Sequence, residues 1–173
     1  MNTRKKAVFN WSGGKDSALA LYKVLQQNQF DVVALLTTVN EETELSSMHA
    51  IPHALLLKQA ESIGIPLYPV FLPKNLSIYE KRMKDAANHF KAQGVEHFIF
   101  GDIYLSDVRK YREDRLHPLG IEVVEPLWNP NSNEVMQDFL ASGIKTQIIV
   151  TDASKLGKAF IGQDLSLTVL DLM

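Results

Sequence analysis

Hydrophobic and polar positions follow two different periods along this chain. Short runs of apolar and β-branched residues, typical of buried strands, alternate with longer segments whose apolar positions recur three and four residues apart, which is typical of helices. The predicted strands are Lys6–Trp11, Asp31–Val39, Leu67–Leu72, Val95–Phe100, Ile121–Glu125 and Ile144–Thr151. The predicted helices are Asp16–Gln27, Pro52–Gly64, Ser77–Gln93, Leu105–Leu116 and Glu134–Ala141. The last segment, Gly162–Met173, is amphipathic and receives no assignment.

The order of these elements predicts the fold class. Strands separated by single helices form βαβ units, so we predict an α/β fold of three layers, with a mostly parallel sheet and helices on both faces. Connections are short and the composition does not change along the chain, so we expect one domain over residues 1–173. Such sheets bind ligands beyond the C-terminal ends of their strands. The corresponding predicted loops are Trp11–Lys15, Val39–Met48, Gly101–Ser106 and Pro126–Asn131.

Composition narrows the chemistry that this fold carries. Of 173 residues, 46% are apolar and 22% are charged, which excludes a disordered or collagen-like chain. Cysteine is absent, which excludes disulfides, cysteine-ligated metal centres and a thiol nucleophile. A net charge of −2 shows no basic excess, so we do not expect a nucleic acid partner. No apolar run is long enough for a membrane span or a signal peptide, so we expect a cytoplasmic protein.

Six residues between the first predicted strand and the first predicted helix carry the candidate chemistry. They are Ser12, Gly13, Gly14, Lys15, Asp16 and Ser17, here called the SGGKDS loop. Two glycines permit a tight turn with open N–H groups, and the following helix N-terminus favours an anion. Asp16 is expected either to cap the helix or to help hold Mg²⁺ beside phosphates. The glycine spacing differs from that of the Walker loop and of the dinucleotide fingerprint. We therefore predict a phosphate or pyrophosphate site, with a capped glycine-rich turn as the alternative.

Together with the βαβ pattern, the SGGKDS loop resembles that of the PP-loop ATP pyrophosphatases, which belong to the adenine nucleotide alpha-hydrolase-like superfamily. The resemblance implies a Rossmann-like sheet of the HUP type, with ATP and Mg²⁺ as ligands. It also implies cleavage of ATP between the α- and β-phosphates, which adenylates a substrate oxygen. Pyrophosphate is then expected on Ser12–Ser17, with Lys15 and Asp16 as catalytic groups and Mg²⁺ at Asp16.

Later segments narrow the resemblance to one family. Met48-His49, Gly101-Asp102-Ile103, the RKYRE segment 109–113 and Pro126-Leu127-Trp128 follow one another in this order. From Ala7 to about Gly162 the chain resembles the diphthine–ammonia ligases. These enzymes use ATP and ammonia to convert the carboxylate of diphthine, a modified histidine on elongation factor 2, into an amide. The resemblance thus implies an AMP-forming ligase whose partners are ATP, ammonia and a protein carboxylate.

Further site residues come from the predicted strand ends and loops and from the resemblance together. They are Asp102 as a catalytic group, Gly101, Thr37 and Thr38 as nucleotide contacts, and His49, Arg109, Arg112 and Glu113 as substrate contacts. For the aspartate the alternative is a turn or capping role, and for the threonines a structural role. The alternative for the two arginines and the glutamate is a solvated helix face whose charges pair with one another.

The chain also departs from the family pattern. Ala50 stands where the family usually has glycine, Gly162-Gln163 replaces a usual Gly-Arg pair, and the sequence ends at Met173, before the family's Gly- and Glu-rich C-terminal segment. An ATP- or AMP-binding module without turnover is therefore an alternative function. A tRNA-modifying PP-loop enzyme is another, disfavoured by the net charge and the absence of cysteine. We also expect a homodimer, with residues 163–173 as a candidate interface.

Overall fold

The computed structural model describes residues 4–73, 78–128 and 131–172. The strands are β1 (Lys5–Asn10), β2 (Phe30–Asn40), β3 (Leu67–Leu72), β4 (His97–Ile99) and β5 (Glu122–Val124). The α-helices are α1 (Lys15–Gln27), α2 (His53–Ile63), α3 (Tyr79–Lys91), α4 (Ser106–Leu116), α5 (Ser132–Ala141) and α6 (Leu167–Asp171). The predicted helix start at Ser77, part of the predicted loop Pro126–Asn131, and Met173 lie outside the described residues.

The five strands among the described residues form one parallel sheet in the order β3-β2-β1-β4-β5. The predicted α/β class, with helices on both sides of the sheet, is confirmed. From β1 the chain first adds β2 and β3 on one side of it, and later adds β4 and β5 on the other side. The connections therefore diverge between β1 and β4. Ligands of open α/β sheets bind beyond the carboxyl ends of the strands at this kind of switch point.

Burial on both faces of the sheet explains its layered packing. Val8 and Phe9 in the central strand β1 are both fully buried, as expected for a strand covered on two sides. Val8 belongs to a buried cluster with Phe90 of α3, and Phe90 in turn meets Phe98 of β4 edge-on, with ring centroids 6.3 Å apart. Phe9 points the opposite way, because neighbouring strand residues alternate between faces. Helices α1 and α2 flank β2 and β3.

The chain divides into two compact units, residues 1–130 and 131–173. The first unit contains the whole sheet and every residue predicted for the functional site. The second contains α5 and α6. The expectation of a single domain stays a prediction. None of the helices within the described ranges combines the length and the apolar character that crossing a membrane requires.

The strand predicted at Ile144–Thr151 is wrong. The described residues of this segment make one isolated antiparallel bridge, between Gln147 and Asp164, and no strand. Residues Ile149 and Val150 are 53% and 76% exposed. β-Branched residues favour a strand when their side chains pack against a neighbouring strand or layer. Ile149 and Val150 lack that packing, so the β-branched composition of the segment alone did not produce a strand.

Candidate functional site

Hydrogen bonds within the SGGKDS loop join its two ends. The Ser12 hydroxyl donates to the Ser17 hydroxyl at 3.0 Å and accepts the Gly14 N–H at 3.3 Å. The Ser17 hydroxyl donates to the Gly14 carbonyl at 3.0 Å. Ser17 is buried, so water competes little for these bonds. The loop is therefore ordered by its own contacts, which lowers the entropic cost of ordering it around a ligand.

Helix α1 begins directly after this turn. Its N-cap position is Gly14, which has no capping side chain. The expectation that Asp16 caps the helix is therefore wrong. Asp16 lies in the first turn, where its carboxylate is 2.5 Å from Lys15 Nζ, and both side chains are about a third exposed. The first N–H groups of a helix lack intrahelical acceptors and carry the positive end of its dipole, so this turn favours an anion.

Both loop glycines fit closely against other parts of the protein. Gly13 has a φ of +78°, a region that favours glycine, and a Cβ there would lie 2.8 Å from a Leu56 methyl carbon. A Cβ on Gly14 would lie 2.8 Å from Nε2 of His49. Larger residues at either position would displace α2 or the imidazole. The structure thus brings His49, a predicted site residue, against the SGGKDS loop.

A tight turn after β2 presents this histidine. The backbone N–H of Ser46 donates to the Ile51 carbonyl at 2.8 Å, and the Ile51 N–H donates to the Ser46 hydroxyl at 3.0 Å. Between them Ala50 has a φ of +51°, which costs alanine more than glycine. The alanine that departs from the usual family pattern therefore sits at a position whose backbone suits glycine.

Gly101 follows β4 closely and lies against the first turn of α1. A Cβ there would lie 2.9 Å from the Ser17 Cα and 3.0 Å from its N. Glycine at this position is required by the packing of backbone on backbone, and its predicted contact with a nucleotide stays a prediction. Since Asp102 is the next residue, this approach sets it beside the SGGKDS loop, at the switch point between β1 and β4.

Asp102 is one end of a series of alternating charges at the carboxyl edge of β4 and β5. Its members, in order of contact, are Asp102, Arg112, Glu125, Arg109 and Glu113, here called the charge chain. Arg112 Nη1 contacts the Asp102 carboxylate and lies 3.4 Å from Glu125 Oε1. Arg109 Nη1 lies 3.5 Å from the other Glu125 oxygen. The Arg109 Nε donates to Glu113 at 2.9 Å. Four predicted site residues are thereby brought into one network.

Glu125, the centre of the charge chain, was not predicted. Its side chain is 0% exposed, whereas those of Arg112 and Arg109 are 19% and 36% exposed. Burial raises the pKa of Glu125, and the Arg109 charge opposes that rise. One sequence signal could have found it: a carboxylate at the end of a predicted buried strand, immediately before the PLW segment.

Aromatic rings support both guanidinium groups. The Arg112 Cζ lies 3.9 Å from the Phe100 ring centroid, and the Arg109 Cζ lies 5.1 Å from that of Trp128. A cation over an aromatic face is attracted by the ring quadrupole, most strongly where water is excluded. Carboxylates and rings together therefore hold the arginines, so the solvated-face alternative does not describe Arg112.

The two predicted threonines lie inside β2, near the end of the strand predicted at Asp31–Val39. Thr37 is buried, and the Thr38 carbonyl accepts the Ser47 N–H at 3.0 Å. Between described residues, no hydrogen bond joins either threonine to the SGGKDS loop or to the charge chain. Their contact with a nucleotide stays a prediction.

The carboxylates near the SGGKDS loop are of the chemical type that binds a magnesium ion. Within 4–73, 78–128 and 131–172, no three potential metal-ligating side chains gather at one point. Mg²⁺ does not require such a cage, since it is commonly held by one or two carboxylates together with phosphate oxygens and water. Asp16 and Asp102 are carboxylates of this kind, on the two loops that meet at the switch point.

Comparison with known proteins agrees with this geometry. A family model described as the diphthamide synthase N-terminal domain matches residues 5–123, well over half of the chain. The matched stretch contains the SGGKDS loop, His49, Asp102 and the arginines of α4. No curated protein sequence is close enough to the chain to match it. The family match confirms the resemblance seen in the motifs and indicates an enzyme that uses ATP. The chain belongs to the diphthamide synthase N-terminal domain family, which is a family of PP-loop ATP pyrophosphatases.

Proposed function

We propose that this protein is an AMP-forming ligase that adenylates a carboxylate with ATP and transfers ammonia to it, as diphthine–ammonia ligases do. The observation that carries the proposal is the packing of Gly101 on Ser17. This contact sets an anion-binding helix terminus beside a network of arginines and carboxylates. The first suits the phosphates of ATP, and the second suits a carboxylate substrate next to them.

The SGGKDS loop supplies the phosphate contacts in this proposal. Open N–H groups at the start of α1 bind the departing pyrophosphate, and Lys15 offsets its charge. His49 lies over Gly14, and in this proposal it therefore contacts the same phosphates. Asp16 and Asp102 would hold Mg²⁺, which would supply positive charge to neutralise the phosphates.

In this proposal the charge chain binds the carboxylate substrate. A carboxylate and a phosphate repel each other, so cationic groups must offset their charges before they react. Arg109 and Arg112 are placed at the correct edge of the sheet for this. A carboxylate oxygen bonds to the α-phosphorus as the bond from that phosphorus to the pyrophosphate oxygen breaks. Ammonia then bonds to the acyl carbon, AMP leaves with the former carboxylate oxygen, and the nitrogen loses a proton to solvent. No protein nucleophile is needed, in keeping with the absence of cysteine.

Product analysis tests the proposal. Purified protein is incubated with ATP, Mg²⁺, ammonium and a panel of carboxylates that includes a diphthine peptide, and AMP and pyrophosphate are measured. We expect both products in equal amounts, dependent on ammonium and carboxylate, and lost in Asp16→Ala. The matched control is Asp85→Ala, which changes an exposed aspartate of α3.

ADP as the product, or MgATP binding without turnover under every condition, would overturn the ligase proposal. Binding without turnover would favour the nucleotide-binding module instead. Ammonia, a protein carboxylate, a homodimer through residues 163–173 and a cytoplasmic location are parts of the same proposal.

A further inference from the structure

A single buried carboxylate holds two arginines of the candidate site. We propose that Glu125 is a positioning residue: by holding Arg109 and Arg112 on its two oxygens, it determines where Arg112 meets Asp102 and which of its donors face the site. The geometry stands without the proposed function, but the predicted effect on nucleotide binding rests on it.

The two arginines need a negative partner between them. Residues three apart on a helix are surface neighbours, and like charges at that spacing repel each other. Glu125 lies between them, 3.5 Å from Arg109 and 3.4 Å from Arg112. Because its side chain is fully buried, solvent screens these interactions less than it would screen a surface pair.

Glu125 is the fixed point of the charge chain. It follows β5 and precedes Pro126, whose ring restricts the backbone, and its carbonyl accepts the Trp128 N–H at 3.1 Å. The arginines, in contrast, have long side chains with several rotatable bonds, and one of them is a third exposed. A short carboxylate on an ordered turn therefore directs two flexible cations, rather than the reverse.

The orientation of Arg112 leaves donors available to a ligand. Its Nη1 makes both carboxylate contacts, and its guanidinium group lies over Phe100. Within the described part of the chain, Nε and Nη2 donate no hydrogen bond. A planar guanidinium fixed at one corner and on one face presents its remaining N–H groups in a defined direction, which suits a carboxylate or phosphate.

A positioning role and a purely electrostatic role of Glu125 predict opposite changes in the affinity for MgATP when Glu125 is replaced by glutamine. The substitution removes one negative charge from the charge chain, whose Asp102 end lies beside the SGGKDS loop, so a purely electrostatic role predicts tighter binding of MgATP. A positioning role predicts weaker binding, because the amide does not hold two guanidinium groups and Arg112 loses its direction. The sign of the change therefore separates the two roles.

The first measurement is the affinity for MgATP by calorimetry. We expect about tenfold weaker binding in Glu125→Gln, comparable to losses when a residue that orients a ligand-binding group is changed. Glu125→Asp keeps the charge on a shorter side chain and should fall between wild type and Glu125→Gln. Glu122→Gln, at an exposed position on β5, is the matched control and should bind as wild type does. Unchanged or tighter binding in Glu125→Gln would overturn the proposal.

The second measurement follows the arginines directly. In ¹⁵N spectra, the Nε–Hε signals of Arg109 and Arg112, assigned with Arg→Lys variants, should shift and become more mobile in Glu125→Gln. The Arg115 signal should not change, since this residue pairs with Glu80. Unaltered Arg109 and Arg112 signals would contradict the proposal. If the wild type binds no MgATP, the proposed function fails and these signals decide the positioning role alone. If Glu125→Gln does not fold, both measurements are made on Glu125→Asp instead.

Discussion

A Cβ on Gly101 would lie 2.9 Å from the Cα of Ser17, so the chain after β4 touches the first turn of α1. Backbone packed on backbone at this distance leaves no flexible side chain to move aside. The contact holds the SGGKDS loop and Asp102 at one place, although they belong to separate βαβ units.

Substituting this glycine should disturb both stability and binding. Gly101→Ala forces α1 away from β4, and inserting a methyl into a packed position typically costs about 1–3 kcal/mol of unfolding free energy. We expect a loss in this range in urea unfolding, together with weaker MgATP binding. Gly157→Ala is the control, because a Cβ there meets nothing within 4 Å. Equal stability of Gly101→Ala and wild type would show that the contact is not restrictive.

The charge chain should show strong coupling between its members. Arg112→Gln leaves Glu125 and Asp102 without their shared cation, and removing one partner of a buried ion pair costs about 3 kcal/mol. In the double variant with Glu125→Gln the buried charge is gone as well, so the loss should be smaller than the sum of the single losses. Urea unfolding of the wild type, the two single variants and the double variant measures this coupling.

The control for this cycle is Arg115→Gln on the same helix. Arg115 and Glu80 form a largely exposed pair, and surface pairs contribute little. An effect as large as that of Arg112→Gln, or strictly additive losses in the cycle, would contradict the importance of the buried network.

His97 should make the fold less stable in mild acid. Burial lowers the pKa of His97, with the Lys5 charge acting in the same direction, while the unfolded chain binds the proton near the ordinary value of 6.5. Because the unfolded state then holds more protons, the free energy of unfolding falls as the pH drops through about 6.5. We expect His97→Gln to flatten this decline between pH 7.5 and 5.5.

Two further groups bear on this pH profile. The raised pKa of Glu125 acts with the opposite sign, since the folded state then holds the extra proton, but it is common to wild type and His97→Gln and cancels in their difference. His117→Gln, whose side chain is about half exposed, is the control and should keep the wild-type slope. A His97→Gln profile parallel to wild type would disprove the assignment.

The buried hydroxyl of Ser17 should matter for the SGGKDS loop. Ser17→Ala removes the bond to the Gly14 carbonyl and the acceptor for Ser12. Losing a hydrogen bond of this kind costs about 1 kcal/mol of unfolding free energy, and a less ordered loop should also bind MgATP more weakly. Urea unfolding and calorimetry measure both effects. Ser47→Ala changes an exposed side chain and should alter neither quantity. A loss of stability in Ser17→Ala with unchanged MgATP affinity would show that the order of the loop does not affect binding.

Prediction from sequence succeeded where periodicity and local chemistry agreed. The strand at Lys6–Trp11 and the helix at Asp16–Gln27 match β1 and α1 closely, and the glycine pair between them forms the expected turn. It failed at Ile144–Thr151, where β-branched residues have no sheet to join, and for the capping role of Asp16, because the N-cap residue of α1 is Gly14. In both cases the outcome depends on neighbouring structure, a strand to pair with or the position of the N-cap residue, and not on the composition of the segment alone.

The sequence by itself determined the parallel α/β class, the SGGKDS loop and the family, because these depend on local periodicity and short motifs. Only the tertiary structure decided that Gly101 packs on Ser17 and that Glu125 joins Arg109 to Arg112. Gly101 and Ser17 belong to different βαβ units. Arg109 and Arg112 lie on α4, whereas Glu125 follows β5. Their strength depends on burial, which excludes water and strengthens charge interactions, and burial arises only when the sheet and its helices have packed.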